Sequence, residues 1–406
     1  EADAKRVADE LGVDSVLTGR MVQRGDNLII SVNLVDTRNG KSLWGEQYER
    51  KMSELLAMQR EIAATITQKL QLKLSGGDRG LTKKYTDSNE AYQLYLKGRF
   101  HFAKRTKDDI FKGIEYFQQA IRLDPNFALA YARIAEAYNQ LPGYSYLSPE
   151  EAFPQSKAAA KRALEIDPTL PEAHTALANA LAVYDWNWTQ AEQEFKRAIE
   201  LDPNNAAAHY RYGTEYLTSV GRTDEAIVEI KRALEIEPLD LNMMANLARY
   251  YMYARQNDKA VEHGRKFLEL EPNFATGRLM LGLAYNAGGM HEEAILLSEK
   301  PLQAEPTNQF MLYVGGYAYA KQGRRREAEQ VVNKFREIAN TQNVVTYFIA
   351  SIYVALGEKD KAFAELEKAY QERDWWLRFL KVDPLMDSLR GDPRFKDLLK
   401  RMNLPE

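Results

Sequence analysis

The feature that most constrains this chain of 406 residues is a proline that follows Asp or Glu and returns at nearly constant intervals. The intervals are 43, 35, 35, 34 and 34 residues along the sequence. The prolines are Pro125, Pro168, Pro203, Pro238, Pro272 and Pro306. A period of 20 to 50 residues is typical of solenoids, in which each unit buries a face of the next. We therefore expect a repeat array.

Each period contains the pattern of an amphipathic helix. Tyr131, Ile134, Ala135 and Tyr138 lie at i, i+3, i+4 and i+7, which places them on one helical face. The later periods repeat these slots, as in His209, Tyr212, Gly213 and Tyr216; Arg278, Leu281, Gly282 and Tyr285; and Thr346, Ile349, Ala350 and Tyr353. The pattern predicts the first helix of a repeating unit.

A second helix is indicated by small residues at the same interval. They are Ala191, Ala226, Ala260, Ala294, Ala328 and Ala362. Two helices of a hairpin approach to within ~8–10 Å, and the close end of that range needs Gly or Ala between the backbones. Proline ends the second helix, and Asn126 and Asn204, which follow it, are expected to cap the next one.

This sequence pattern resembles the tetratricopeptide repeat (TPR), which has a 34-residue period and a W-x2-L-G-x2-Y signature. We count eight helical hairpins in an array over residues 89–374. The second hairpin carries an insertion, Leu141 to Pro154. A linker is expected at 75–88 and a capping segment at 375–406, with a closing helix from Asp392 to Met402. Trp375 and Trp376 are expected to seal the end of the array, with an exposed contact site as the alternative.

Residues 1–74 follow a different period. Leu28, Ile30, Val32 and Leu34 alternate as in a strand with one buried face, and Asn39-Gly40 is a strong hairpin signal. The order read from this stretch is α-β-β-β-α, beginning with a helix from Ala4 to Leu11. The predicted fold class is therefore mostly α: a TPR α-α superhelix preceded by a small α+β domain. Because the chain begins inside a helix and without Met, we expect a longer parent protein.

The N-terminal unit also resembles a known domain. Leu11-Gly12-Val13-Asp14, Val16-Leu17-Thr18-Gly19 and Leu43-Trp44 are similar to the TolB N-terminal or FlgO domain, which precedes TPR arrays in many bacterial proteins. In that family the module lies C-terminal to a serine/threonine kinase, a winged-helix regulator or a cyclase. The resemblance implies the sensory or regulatory half of a bacterial signalling protein. It favours an extracytoplasmic domain of a membrane-anchored protein, with a cytoplasmic location as the alternative.

Composition excludes several kinds of chemistry. The net charge is −3, without a basic excess that would suggest nucleic acid, and there is no cysteine. We find no apolar run long enough to cross a bilayer, no phosphate-binding glycine motif and no H-E-x-x-H. His174 and His209 occupy one slot in adjacent repeats, which indicates packing rather than a metal site. We expect no enzyme activity, no cofactor and no metal.

The candidate functional surface is the concave groove. In a TPR array the first helices line this groove, and aromatic residues and arginine are the side chains that dominate binding hot spots. Counting from the packing slots gives the candidates Tyr210, Thr214, Asn242, Arg249, Asn286, Phe310, Tyr313, Tyr317 and Tyr347. We expect these residues to hold a peptide or partner protein. The alternative left open is a scaffold that associates with itself.

Overall fold

The structure is a computed structural model that describes residue 8 and residues 12–69 and 85–404. The predicted first helix and most of the predicted linker lie outside these residues. The N-terminal unit forms an antiparallel sheet of three strands, β1 (Ser15–Arg24), β2 (Asn27–Asp36) and β3 (Lys41–Lys51), in the order β1-β2-β3. One helix, α1 (Leu55–Lys69), follows the sheet.

One face of this sheet is buried against α1. Leu28 and Val32 of β2 and Tyr48 of β3 pack with Met58 of α1, as the alternation along β2 predicts. The turn between β2 and β3 contains Gly40 at φ +69°, a conformation that glycine adopts without strain. The predicted strands and their connecting turn are present in this unit.

The repeat region contains sixteen helices in eight consecutive hairpins. They are α2 (Asn89–Ala103), α3 (Lys107–Leu123), α4 (Ala128–Gln140), α5 (Pro149–Ile166), α6 (Pro171–Val183), α7 (Trp188–Leu201), α8 (Ala206–Arg211), α9 (Thr223–Ile236), α10 (Leu241–Tyr253), α11 (Asn257–Leu270), α12 (Ala275–Ala287), α13 (His291–Ala304), α14 (Gln309–Lys321), α15 (Arg325–Ile338), α16 (Thr346–Ala355) and α17 (Lys359–Gln371). This arrangement is a TPR superhelix, and it confirms the predicted fold class.

Small residues lie where the two helices of each hairpin contact each other. All six recurrent alanines of the second helices are fully buried. Gly213 shows why a side chain is excluded on the facing helix, since a Cβ there would lie 2.9 Å from the carbonyl oxygen of Ala226. A larger residue at such a contact overpacks the interface, which costs about 1–3 kcal/mol. The periodic Gly and Ala residues therefore set the distance between the two helices of each unit.

The turns between hairpins differ from the prediction by one residue. Asn204 does not cap α8. Its N–H donates to Oδ1 of Asp202 over 3.0 Å, and Asn205 caps the helix by accepting from the N–H of Ala208. The N–H of Asn126 donates in the same way to Asp124, across Pro125. The acid before each of these prolines therefore fixes the turn, and the helix begins after the next residue.

The chain ends in two short 3₁₀ turns, Leu377–Phe379 and Pro384–Leu389, and a last helix, α18 (Pro393–Arg401). The predicted closing helix is therefore present. Arg394 and Arg401 of α18 pair with Asp360 and Glu367 of α17. The segment between α17 and α18 does not stay at the end of the array, and its path determines the shape of the concave surface.

Candidate functional site

The predicted groove residues lie on the first helices, and most of them are buried. Asn242 and Phe310 are half-buried. The other seven expose 9% or less of their surface: Tyr210, Thr214, Arg249, Asn286, Tyr313, Tyr317 and Tyr347. A groove open to solvent would leave such large side chains accessible. Another part of the chain must therefore cover this surface.

The cover is the chain's own segment 375–389, here called the C-terminal strap. Seven of its large apolar side chains are buried, namely Trp376, Leu377, Phe379, Leu380, Leu385, Met386 and Leu389. The hydroxyl oxygen of Tyr317 lies 3.5 Å from the carbonyl oxygen of Leu385. The expectation that Trp375 and Trp376 seal the end of the array is wrong, because these residues turn inward and pack along the concave surface.

Aromatic and cationic side chains form the centre of this contact. The guanidinium carbon of Arg249 lies 5.1 Å from the ring centre of Trp376 and 4.9 Å from that of Phe379. Phe379 also lies 4.9 Å from the ring of Tyr253. Trp376 packs edge-on against Phe348 at 5.0 Å. Cations over aromatic faces stabilise contacts most where water is excluded, as it is around this arginine.

A buried charge pair joins the strap to the fourth repeat. Nη2 of Arg378 lies 2.6 Å from Oε2 of Glu215, and the two side chains are 1% and 2% exposed. The N–H does not point at the oxygen, so the contact is an ion pair rather than a directed hydrogen bond. Arg211 is also 2.9 Å from Glu215.

Both side chains of this pair stay ionised at neutral pH. Burial works against ionisation of Glu215, but the positive charges of Arg378 and Arg211 outweigh it and keep the pKa of Glu215 below its usual value. Burial lowers the pKa of Arg378 to about 10. Both groups therefore stay ionised, and each depends on the other for compensation.

Glu215 sits in an irregular turn of its helix. Residues Tyr212–Leu217 form a π-helical segment, and the N–H of Thr218 donates to the carbonyl of Gly213 over 3.1 Å. Gly213 and Gly221 are eight positions apart, whereas Gly282 and Gly289 are seven apart. The extra residue of this 35-residue repeat is therefore taken up as a π-bulge, a feature often found at functional positions.

Polar contacts join the strap and the residues after it to several different repeats. The hydroxyl of Tyr347 donates to Asp383 over 2.8 Å, and burial raises the pKa of Asp383 to about 6. Arg255 forms a two-bond ion pair with Asp387 at 2.7 and 2.8 Å. Trp188 of the third repeat donates to the carbonyl of Met402 over 2.8 Å. The C-terminal residues therefore connect the third repeat to the eighth.

A different part of the concave surface has no strap residue in its lining. Here a small polar cleft, with a cavity volume of about 30 Å³, lies between the first helices of repeats two to four. Its lining consists of Arg133, Glu136, Asn139, Glu172, Thr175, Ala176, Asn179, Asn205, Ala207 and Arg211. Sequence reasoning listed groove positions only from the fourth repeat onward and missed this cleft. The same counting from Tyr131 and His174 would have reached Glu136, Asn139, Glu172 and Asn179.

Ion pairs order the walls of the polar cleft. Arg133 lies 2.6 Å from Glu136. Burial works against the charge of Arg133, but the charges of Glu136 and Glu172 among its neighbours contribute to a pKa well above the usual value. Asn139 donates to the carbonyl of Ala176 over 2.9 Å. These contacts hold the lining residues in place without using all of their polar atoms.

The described residues show no metal site and no membrane span. Nowhere in residues 12–69 and 85–404 do three His, Asp or Glu side chains come together as metal ligands could. His174 and His209 each bond a carboxylate and a carbonyl instead. None of the described helices is both long and apolar enough to cross a lipid bilayer.

Comparison with known proteins identifies the repeats. Models of the tetratricopeptide repeat match residues 194–228, 246–307 and 346–373. A protein of Rhizobium meliloti (strain 1021) named "Putative adenylate cyclase 3" is 30% identical over 187 residues, or 44% of this chain and 31% of that protein. The transcriptional regulator HilA of Salmonella typhimurium is 24% identical over 176 residues, or 42% of this chain and 31% of that protein. The chain thus spans about a third of these relatives.

Solved structures with similar helices include PilW, a type IV pilus biogenesis factor, at 20% identity. That match covers 54% of this chain and 96% of PilW, with a TM-score of 0.42. A tetratricopeptide repeat protein of Parabacteroides merdae is 15% identical over 78% of this chain and all of that protein, with a TM-score of 0.41. The resemblance of the N-terminal unit to the TolB or FlgO domain stays a prediction. On its period, its hairpins and the three matching models, the chain carries an array of tetratricopeptide repeats.

Proposed function

We propose that this chain is a protein-interaction module that holds an extended segment of a partner protein in the polar cleft of repeats two to four. The observation that carries the proposal is the division of the concave surface. Its aromatic half is filled by the C-terminal strap, and the polar cleft has no strap residue in its lining. TPR arrays act as interaction scaffolds, and a concave surface with fixed polar groups suits an extended peptide.

Energetics argue against a partner that displaces the strap. Burying one large apolar side chain contributes about 1.5–3 kcal/mol. Seven such side chains of the strap are buried, so their burial amounts to at least ~10 kcal/mol. A peptide from another molecule would have to replace these contacts and also lose its translational freedom. Binding of a partner through Tyr313, Tyr317 or Arg249 remains a prediction, and the polar cleft is the more accessible site.

We also propose the kind of protein to which this module belongs. Its curated relatives are named as a cyclase and as a transcriptional regulator, and each is about three times as long as the matched region. These names favour a regulatory module within a larger bacterial signalling protein. The TolB- or FlgO-like pattern of the first residues supports the same assignment, since such modules accompany output domains in that family.

Blocking the cleft tests the proposal. Peptides are selected from a random phage-displayed library on the immobilised full chain, and their affinities are measured by fluorescence anisotropy. Ala207 is exposed at the cleft, so A207W obstructs it without filling the core and is expected to weaken binding by about tenfold or more. The matched control is V228W, at a residue that is 64% exposed on the second helix of the same repeat. Equal binding by A207W and the unmodified chain would refute the assignment of the site.

A further inference from the structure

One slot of the first helices holds an aromatic ring in seven of the eight hairpins. It is the last position of the i, i+3, i+4, i+7 pattern, and it carries His101 in the first hairpin and tyrosine in six others. The tyrosines are Tyr138, Tyr216, Tyr251, Tyr285, Tyr319 and Tyr353. In the third hairpin this slot holds Leu181. The third repeat therefore lacks a ring that its neighbours have.

The tyrosine rings lie between the second helices of consecutive repeats. Nε of Arg265, on α11, donates to the hydroxyl of Tyr285 over 3.0 Å, and the guanidinium carbon lies 5.3 Å from the ring centre. Arg336, on α15, donates to the hydroxyl of Tyr353 over 2.9 Å. Nζ of Lys361, on α17, lies 5.6 Å from the centre of the same ring. In both cases a cation of the preceding repeat accompanies the tyrosine.

The third repeat keeps the cation of this contact although it has lost the ring. Lys231 and Arg265 each precede their tyrosine by 20 positions, and Nζ of Lys231 lies 5.7 Å from the ring centre of Tyr251. Lys161 precedes Leu181 by the same 20 positions. Lys161 is exposed, and it forms no ion pair with a described carboxylate. Its ammonium group is therefore free to accompany a ring from another molecule.

An open pocket occupies the place of the missing ring, and we call it the third-repeat pocket. Its cavity volume is about 860 Å³, within the range of about 300–1,000 Å³ that is typical of ligand pockets. Leu177 and Leu181 of α6 line it, between Lys161 of α5 and Gln193 of α7, on the side of α6 away from the polar cleft. An apolar floor between polar walls suits a side chain with an apolar body and a polar tip.

We propose that the third-repeat pocket receives a tyrosine side chain from a partner protein. Its ring lies on Leu177 and Leu181, beside the ammonium group of Lys161, and its hydroxyl meets the amide of Gln193. Tyrosine fits because the array itself places tyrosine in this slot in six other repeats. An amide can also donate to a phenol or accept from it, and tyrosine is enriched at binding hot spots. This inference goes beyond the proposed function, because the pocket is a second contact surface outside the polar cleft.

The experiment uses the full chain and a blocked pentapeptide, acetyl-Gly-Gly-Tyr-Gly-Gly-amide. The peptide is titrated at millimolar concentration and followed by NMR of the methyl groups of Leu177. Two further peptides carry phenylalanine or cyclohexylalanine in place of tyrosine, and p-cresol serves as a phenol without a peptide backbone. The variants are L181Y, which restores the ring, and K161M. The matched control is K231M, at the equivalent exposed lysine of α9, which already has a ring beside it.

We expect saturable shifts with the tyrosine peptide and the same affinity in K231M. Binding should be about fivefold weaker in K161M and for the cyclohexylalanine peptide, because the contact between cation and ring is lost. The phenylalanine peptide, which lacks the hydroxyl, should also bind more weakly. L181Y should abolish the shifts, because its own ring fills the pocket, and its thermal midpoint should equal or exceed that of the unmodified chain. A207W should bind the tyrosine peptide normally, so that failure of the polar cleft and failure of this pocket are distinguishable.

Absence of saturable shifts, or shifts that persist in L181Y, would overturn the inference. A lower thermal midpoint of L181Y would overturn it as well, since it would show that the groove has no room for a ring. Equal affinity for the tyrosine and cyclohexylalanine peptides would indicate a general apolar surface instead of a tyrosine site. Binding of p-cresol without binding of the peptide would exclude a protein segment, and a dimer that dissociates in L181Y would identify a second copy of this chain as the occupant. Either result overturns the assignment to a partner protein.

Discussion

Two histidines one repeat apart make the same connection. Nδ1 of His174 lies 2.5 Å from Glu194, and its Nε2 lies 3.0 Å from the carbonyl oxygen of Pro168. His209 repeats this geometry with Glu229 and the carbonyl of Pro203. A carbonyl can only accept, so Nε2 must carry a proton, and an ionised glutamate requires a proton on Nδ1 as well. The pair thus favours the imidazolium form and ties each first helix to its second helix and its preceding turn.

This geometry predicts a pH dependence of stability. Burial lowers the pKa of each histidine, but the hydrogen bonds to the glutamate and the proline carbonyl outweigh it, and the pKa of both is raised above 6.5. A raised folded-state pKa adds stability that is complete below the unfolded value and is lost as pH rises through the folded value. We expect the free energy of unfolding in urea to fall from pH 6 upward, and to fall less in the H174Q/H209Q variant.

The control for the histidine prediction is H263Q. His263 bonds the carbonyl of Met244 through Nε2, and no ion pair with a described carboxylate accompanies that bond. This variant therefore controls for replacing an imidazole by an amide in the same array. An H174Q/H209Q variant with an unchanged pH profile would show that the two imidazoles do not gain protons on folding. The sequence placed these residues correctly in one slot, but it could not reveal the glutamates, which lie 20 residues further along.

At the scale of the helical element, the 34-residue period predicted all eight hairpins because Gly and Ala must recur where backbones meet. The loop glycines recur for a different reason, which is backbone conformation. Gly221, Gly289, Gly323 and Gly357 all have positive φ. Arg105, Trp186 and Arg255 occupy the same slot in other repeats, also with positive φ, so glycine is favoured there and not required. The caps were misplaced by one residue because Asp and Asn are both good acceptors, and only the geometry of the turn decides which one acts.

The π-bulge of the fourth repeat gives a prediction about its buried ion pair. Removing one partner leaves the other as an uncompensated buried charge, which costs about 3–5 kcal/mol. We expect R378M to lower the free energy of unfolding by less than that amount in urea titrations, because Glu215 keeps Arg211 as a partner. E215Q should lower the free energy of unfolding more than R378M does, because Arg378 then stays buried without a carboxylate partner.

The double variant E215L/R378M provides the matched control for that prediction. It removes both charges together, and replacing a buried pair by apolar residues is often neutral. Its stability should exceed that of E215Q, although Arg211 loses its carboxylate partner in both variants. Additive costs in the double variant would indicate that Glu215 and Arg378 are energetically independent despite their 2.6 Å separation.

At the scale of the whole molecule, one hydrophobic core runs from Ala178 to Leu404 and includes both the first helices and the strap. The sequence predicted an open groove lined by these aromatic residues, but not that the strap covers most of them. Residues 375–389 have no period that would place them, and their path depends on the superhelical curvature of eight stacked units. Local patterns determine each hairpin, whereas the meeting of residues such as Arg378 and Glu215, 163 positions apart, depends on the completed fold.

Truncation after Asp374 tests whether the strap belongs to the fold. The loss of about 10 kcal/mol of apolar burial is comparable with the whole stability of an ordinary domain. We expect the thermal midpoint to fall by about 10 °C or more, the fluorescence of an added apolar dye to rise, and the radius of gyration measured by X-ray scattering to increase. A chain ending at Gly391 keeps the strap and loses only α18, so it should lie much closer to the intact protein. If both truncated chains match the intact protein in midpoint and radius, the strap is a dispensable cover. The aromatic groove, with Tyr313, Tyr317 and Arg249, would then be available to a partner after all.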